Sequence, residues 1–153
     1  MKKSLLLNIL KTSVLVLFAV AFFLPFVTGS HVVLGTFSDS LWNIQDFAVR
    51  LGDTASSPLI FVILFLVVAV LAGLSLFYKE NVSRIFYLVA LAVGLVVIGY
   101  VYYKIFINLD PALEGAINAG AFNMSLGFGV YLQLVLLVVG LGLEFFGKKL
   151  LKD

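Results

Sequence analysis

The sequence predicts an all-α membrane protein: a four-transmembrane-helix antiparallel bundle with a short amphipathic helix in the first outer loop. Three observations carry this. Of 153 residues, 63% are hydrophobic and 12% charged, where soluble domains average about 45–50% and about 25%. The apolar residues gather into four runs, Thr12–Thr28, Pro58–Tyr78, Ile85–Tyr103 and Leu126–Leu143, and none of them contains Asp, Glu, Lys or Arg. The basic residues lie between the runs, and mostly on one side.

Each run is close to the ~20 residues that a helix needs to cross ~30 Å of hydrocarbon. Lipid offers no partner to exposed backbone N–H and C=O groups, so helix is the required form. A barrel would need alternating polar and apolar residues, and these runs are apolar all round. The spans are therefore set at about 12–28, 58–78, 85–106 and 126–146. Outer loops 29–57 and 107–125 complete a single domain over 1–153. Lys2 and Lys3 before Val14–Val27 also have the outline of a signal peptide. Phe22, Phe23, Pro25 and Phe26 crowd the place of cleavage, and the segment is read as a retained helix.

Charge orients the bundle. With the N-terminus inside, Lys2, Lys3, Lys11, Lys79, Arg84, Lys148, Lys149 and Lys152 all fall on the inner side. Only Arg50 and Lys104 fall outside, a strong positive-inside asymmetry on short loops. Both termini are thus expected in the cytoplasm. The inner turn Lys79–Arg84 is short enough to force an antiparallel helical hairpin. Met1–Lys11 is expected either to lie along the inner surface or to extend the first helix with Lys11 snorkelling to the headgroups. Glu144 is read as pairing with Lys148 four residues on.

The first outer loop carries a helix expected over Ser40–Leu51, capped by Asp39 or Ser40 and closed by Gly52. Ile44, Phe47 and Leu51 share its apolar face and Trp42 borders it, so it reads as an interfacial helix on the outer leaflet or over the bundle, or, with these four residues, as the candidate outer docking helix. His31, the one histidine, reads as a loop residue. In the second outer loop Asp110-Pro111 starts a short helix, Pro111–Asn118, ending near Gly120.

Ser125-Leu126-Gly127-Phe128-Gly129 is similar to the filter of potassium channels, which holds ions with backbone carbonyls. Too few residues precede it for a pore helix to descend and return. Ala121, Ser125, Gly129 and Gln133 recur every four residues, and form a candidate helix-packing or pore face. Gln133 is the strongly polar side chain inside a span, and a bond to a neighbouring helix is its expected role. Leu137 would make a hydrophobic neck in any pore along that face.

Catalytic sets are missing from the pattern. Gly73-Leu74-Ser75 resembles the Gly-x-Ser of intramembrane serine proteases, but no intramembrane base accompanies Ser75. No His, Asp and Glu cluster points to a metal, no glycine-rich loop to a phosphate cofactor, and no cysteine to a thiolate. Net charge of +2 excludes nucleic acid as a partner. The expectation is a non-enzymatic protein without cofactors. Its partners are the lipid bilayer and, by self-association or a larger membrane protein, other subunits. The alternative is an oligomeric pore lined by the fourth helix.

Phe23-Leu24-Pro25-Phe26, expected to end the first helix, and Gly127-Phe128-Gly129-Val130-Tyr131-Leu132, opening the fourth, resemble small four-helix bacterial inner-membrane proteins of uncharacterised function. That resemblance implies a multi-pass protein of the bacterial cytoplasmic membrane and no particular activity. Animal claudins share the four-helix topology, but their first outer loop pairs a Trp with cysteines. Trp42 has none beside it.

Overall fold

The computed structural model describes residues 3–33, 35–40, 42, 59–78, 80–108 and 111–150. Its elements run α1 (Lys3–Ala21), β1 (Pro25–His31), β2 (Gly35–Ser40), α2 (Leu59–Tyr78), α3 (Glu80–Tyr102), a π-turn at Tyr103–Ile107, α4 (Pro111–Asn118), β3 (Phe122–Leu126) and α5 (Phe128–Leu150). The protein is mostly helical, and three helices are long and apolar enough to span a membrane: Ser4–Ala21, Val82–Tyr102 and Phe128–Lys149. A shorter apolar helical stretch covers Val62–Phe77.

The helices have apolar exteriors as well as an apolar core. Val16, Val67, Val96 and Val138 point outward while Phe18, Phe65, Val97 and Leu137 point inward. Water would not tolerate so continuous an apolar surface. Hydrocarbon explains it. The interior is fixed by three phenylalanines: Phe65 lies 4.8 Å from Phe18 and 5.0 Å from Phe22 between ring centroids. Such aromatic pairs contribute about 0.5–1.5 kcal/mol each beyond area burial.

Three expectations require correction. The first span does not continue as helix to residue 28. It ends at Ala21, and three i→i+3 bonds, from Phe22, Phe23 and Leu24 to Ala19, Val20 and Ala21, tighten the exit. Pro25 is the cause, since proline lacks the N–H and biases the residue before it away from α.

The fold is also not all-α. A three-stranded antiparallel sheet, order β2-β1-β3, joins the two loops at the end of the bundle away from the termini. Its centre, β1, pairs Thr28 with Ser38 on one side and with Ser125 on the other. Phe26 and Val27 are consecutive yet both buried, where a bulge shifts the register against β2.

Lastly, α3 begins at Glu80, so Arg84 stands in a helix rather than in a turn. The helix expected over Ser40–Leu51 lies mostly outside the described residues, Ile44, Phe47 and Leu51 among them; Ser40 itself closes β2.

The second loop follows its turn chemistry closely. α4 ends at Asn118, and Gly120 takes φ +72°, a conformation open chiefly to glycine. Its N–H donates to Ile117 O, and that of Ala121 to Ala116 O. Those two bonds form a Schellman cap. The chain then turns directly into β3.

Candidate functional site

The polar chemistry of the bundle interior lies along one seam of α5. Gln133, Leu137, Gly140 and Glu144 follow at intervals of four, three and four residues, the spacing of one helical face. All four are turned inward: Gln133, Leu137 and Gly140 are buried and the Glu144 side chain is 4% exposed. On α1 the matching stripe is Leu7, Lys11, Val14, Leu15 and Phe18, every member of which is buried.

Where the two stripes meet near the chain termini, Lys11 Nζ donates to Glu144 Oε2 at 2.5 Å. The other carboxylate oxygen, Oε1, lies 2.8 Å from Arg84 Nε on α3. One carboxylate thus holds three helices together. Lys11 Nζ also stands 5.1 Å from the centroid of the Tyr87 ring, and the Arg84 guanidinium 5.9 Å from that of Phe145. Both rings present faces that attract a cation. Lys11 is thus buried and paired rather than snorkelling, and Glu144 engages both Lys11 and Arg84. Buried charge without a partner is too costly to persist, so the pairing decides where both side chains go.

Asn8, one turn before Lys11, donates from Nδ2 to Leu76 O at 2.7 Å. That carbonyl lies in the last turn of α2, where backbone acceptors lack helical partners. The amide therefore ties α2 to α1 at the same end as the ionic cluster.

Higher on the seam, Gln133 is fully buried and neither its amide nitrogen nor its amide oxygen has a partner among the described residues. The expected bond to a neighbouring helix is not formed. Tyr87 Oη is likewise buried without one. A buried group in this condition costs about 1–3 kcal/mol.

The four residues expected to share a helical face do not share one. Ala121 sits in the bend before β3, and Ser125 is a strand residue whose Oγ is 3.0 Å from Thr28 Oγ1. Gly129 and Gln133 alone are helical. Gly129 is there because nothing larger fits: a Cβ would come within 2.9–3.0 Å of the carbonyl oxygens of Pro25, Ala21 and Leu24. Its role is close packing of α5 against the exit of α1. Ser75 Oγ donates to Ala72 O at 2.8 Å, within its own helix.

The sheet end has a different character. His31 ends β1, and its Nδ1 accepts the Val33 N–H at 3.1 Å, bracing the hairpin tip. Gly35 at φ +77° turns the chain into β2. Val32 and Val33 are 77% and 82% exposed on that tip. At the base of the sheet the Trp42 and Phe23 rings lie 5.1 Å apart, and the Trp42 N–H donates to Phe22 O at 3.3 Å. Trp42 is thus fastened to the exit of α1.

Sequence reasoning missed the ionic cluster, although periodicity carried a signal. Lys11 falls four residues after Leu7 and three before Val14, and Glu144 falls four after Gly140. Both positions belong to inward stripes. Among the described residues no group of three or more His, Cys, Asp and Glu comes together to hold a metal ion. No family model, curated protein or solved structure matches the chain.

Proposed function

We propose that this chain is a four-span protein of the bacterial cytoplasmic membrane, with both termini in the cytoplasm. It acts without catalysis, as an accessory or interaction subunit that presents a folded cap on the outer side. The observation that carries this reading is the hairpin tip. Val32 and Val33 are the most exposed large apolar side chains described, on a braced turn at the bundle end remote from the termini. Apolar side chains placed there, beyond the sheet, gain by contact with another protein. The sheet supports the tip by merging the two outer loops into one unit.

Several features agree with the four-span reading. α2 runs for 20 residues of Leu, Ile, Val, Phe and Ala around few polar groups, and its junction with α3 lies at the same end as both termini. The basic residues collect at that end as well, which would face the cytoplasm. Gly129 and Gln133 are buried inside the protomer, which weighs against the pore alternative, because a lining face must be open to an axis.

The test is a photoreactive residue placed at position 33 in living cells, read with the Val32→Ser/Val33→Ser double variant. The expected result is a discrete adduct, with itself or with a larger membrane protein, that survives mild detergent. The double variant should lose the matching co-purification while keeping its thermal stability. A strictly monomeric species, without any adduct at position 33, would overturn the reading.

A further inference from the structure

Among the described residues, the ionic cluster sets two cations around one carboxylate, that of Glu144. Lys11 and Arg84 approach it from different helices, one on each carboxylate oxygen. Lys11 is buried, so the accessible cation of the two is Arg84, whose side chain is 58% exposed. Arginine carries five N–H donors in a planar fork. Here Nε is engaged by Glu144, which fixes one edge of the fork.

The position makes that significant. Arg84 lies two residues inside the apolar span that begins at Val82, with exposed Ile85 beside it and Phe145 under its guanidinium. Donors at the edge of hydrocarbon need acceptors, because the apolar side of that boundary supplies none. A phosphodiester supplies such acceptors together with a negative charge, and takes a guanidinium fork through two parallel N–H···O bonds. Lys148 and Lys149, in the last turn of α5, extend the positive rim at the same end.

We propose that Arg84, held by Glu144 and Phe145, forms a binding site for the phosphate of an anionic phospholipid, whose acyl chains lie along the exposed flank of Ile85 and Phe145. The source is the membrane rather than free phosphate, since the fork opens beside apolar side chains that a soluble anion would not cover. The inference rests on the membrane-spanning reading above, though not on which partner the outer cap meets.

Native mass spectrometry of the full chain, purified in mild detergent from mixed phosphatidylglycerol and phosphatidylcholine, tests it. Phosphatidylglycerol should be retained in preference. Arg84→Gln should lower that preference about fivefold, the equivalent of the ~1 kcal/mol that one basic residue contributes near an anionic surface. Arg84→Lys keeps a charge for Glu144 but gives up the fork, and its preference should fall too, which covers failure of the glutamine variant to fold. Undiminished retention in a folded variant would overturn the site. Displacement of the lipid by millimolar inorganic phosphate would overturn its assignment to lipid. Flotation with pure phosphatidylcholine vesicles separates the two levels: a chain that does not float fails the membrane reading itself, whereas one that floats but shows no headgroup preference fails only this proposal.

Discussion

Lys11 and Glu144 stand 133 positions apart in the chain and 2.5 Å apart in the fold. Their contact joins the first and last helices, and with Arg84 it draws in α3. Removing Lys11 leaves Glu144 with Arg84, whereas removing Glu144 strands the buried Lys11 in a place where charge is poorly solvated. Glu144→Leu should therefore destabilise the bundle by about 3–5 kcal/mol, read as reduced resistance to denaturing detergent. The double variant Lys11→Met/Glu144→Leu should recover most of that loss, because Arg84 can turn outward. Equal loss in the single and double variants would show that the pair is not the cause.

Gln133 gives the opposite sign. With no partner for either amide atom among the described residues, Gln133→Leu removes a buried polar group at nearly constant volume. Stability should rise by about 1–3 kcal/mol, measured by the same unfolding assay. A fall of that size would mean that the amide is satisfied by an internal water.

Gly129 tests the close approach of α5 to the exit of α1. Three backbone carbonyl oxygens surround the place of its missing Cβ, and backbone yields less readily than a side-chain tip. Gly129→Ala should cost about 1–3 kcal/mol. Gly142→Ala is the internal control, as nothing lies within 4 Å of a Cβ there, and it should cost nothing measurable.

Thr28 and Ser125 are register partners whose hydroxyl oxygens are 3.0 Å apart. The chain contains no cysteine, so Thr28→Cys/Ser125→Cys introduces a single candidate disulfide. It should close under mild oxidation and speed migration on a non-reducing gel. Were residues 121–133 one continuous helix instead, Ser125 would have no such partner, and no crosslink would form.

The same lack of cysteine makes topology measurable. Single cysteines at Val33 and at Lys149 should label oppositely with a membrane-impermeant maleimide: Val33 in intact cells, Lys149 only after lysis. Labelling of both from the same side would overturn the four-span arrangement.

The membrane character of this protein was legible in the sequence because it depends on composition and run length, which are local and additive. α4 and its cap were legible as well, since Pro111 and Gly120 act within one turn of chain. The sheet was not. Its β1–β3 ladder pairs residues 91 to 99 positions apart, Thr28 and Ser125 by 97, and neither strand shows clean alternation. Only the hairpin left a trace, in the short runs on either side of the turn to Gly35.

The four-residue rhythm of Ala121, Ser125, Gly129 and Gln133 was a true pattern with a false cause. The first two residues serve a bend and a strand, and the latter two a helix. Tertiary structure also gave Glu144 two partners that no spacing along the chain encodes. Sequence spacing offers Glu144 a neighbour on its own helix, Lys148, because proximity along a helix is all that spacing encodes. Packing offers Lys11 and Arg84, because three helices converge where solvent cannot reach, and an enclosed carboxylate takes the cations that face it.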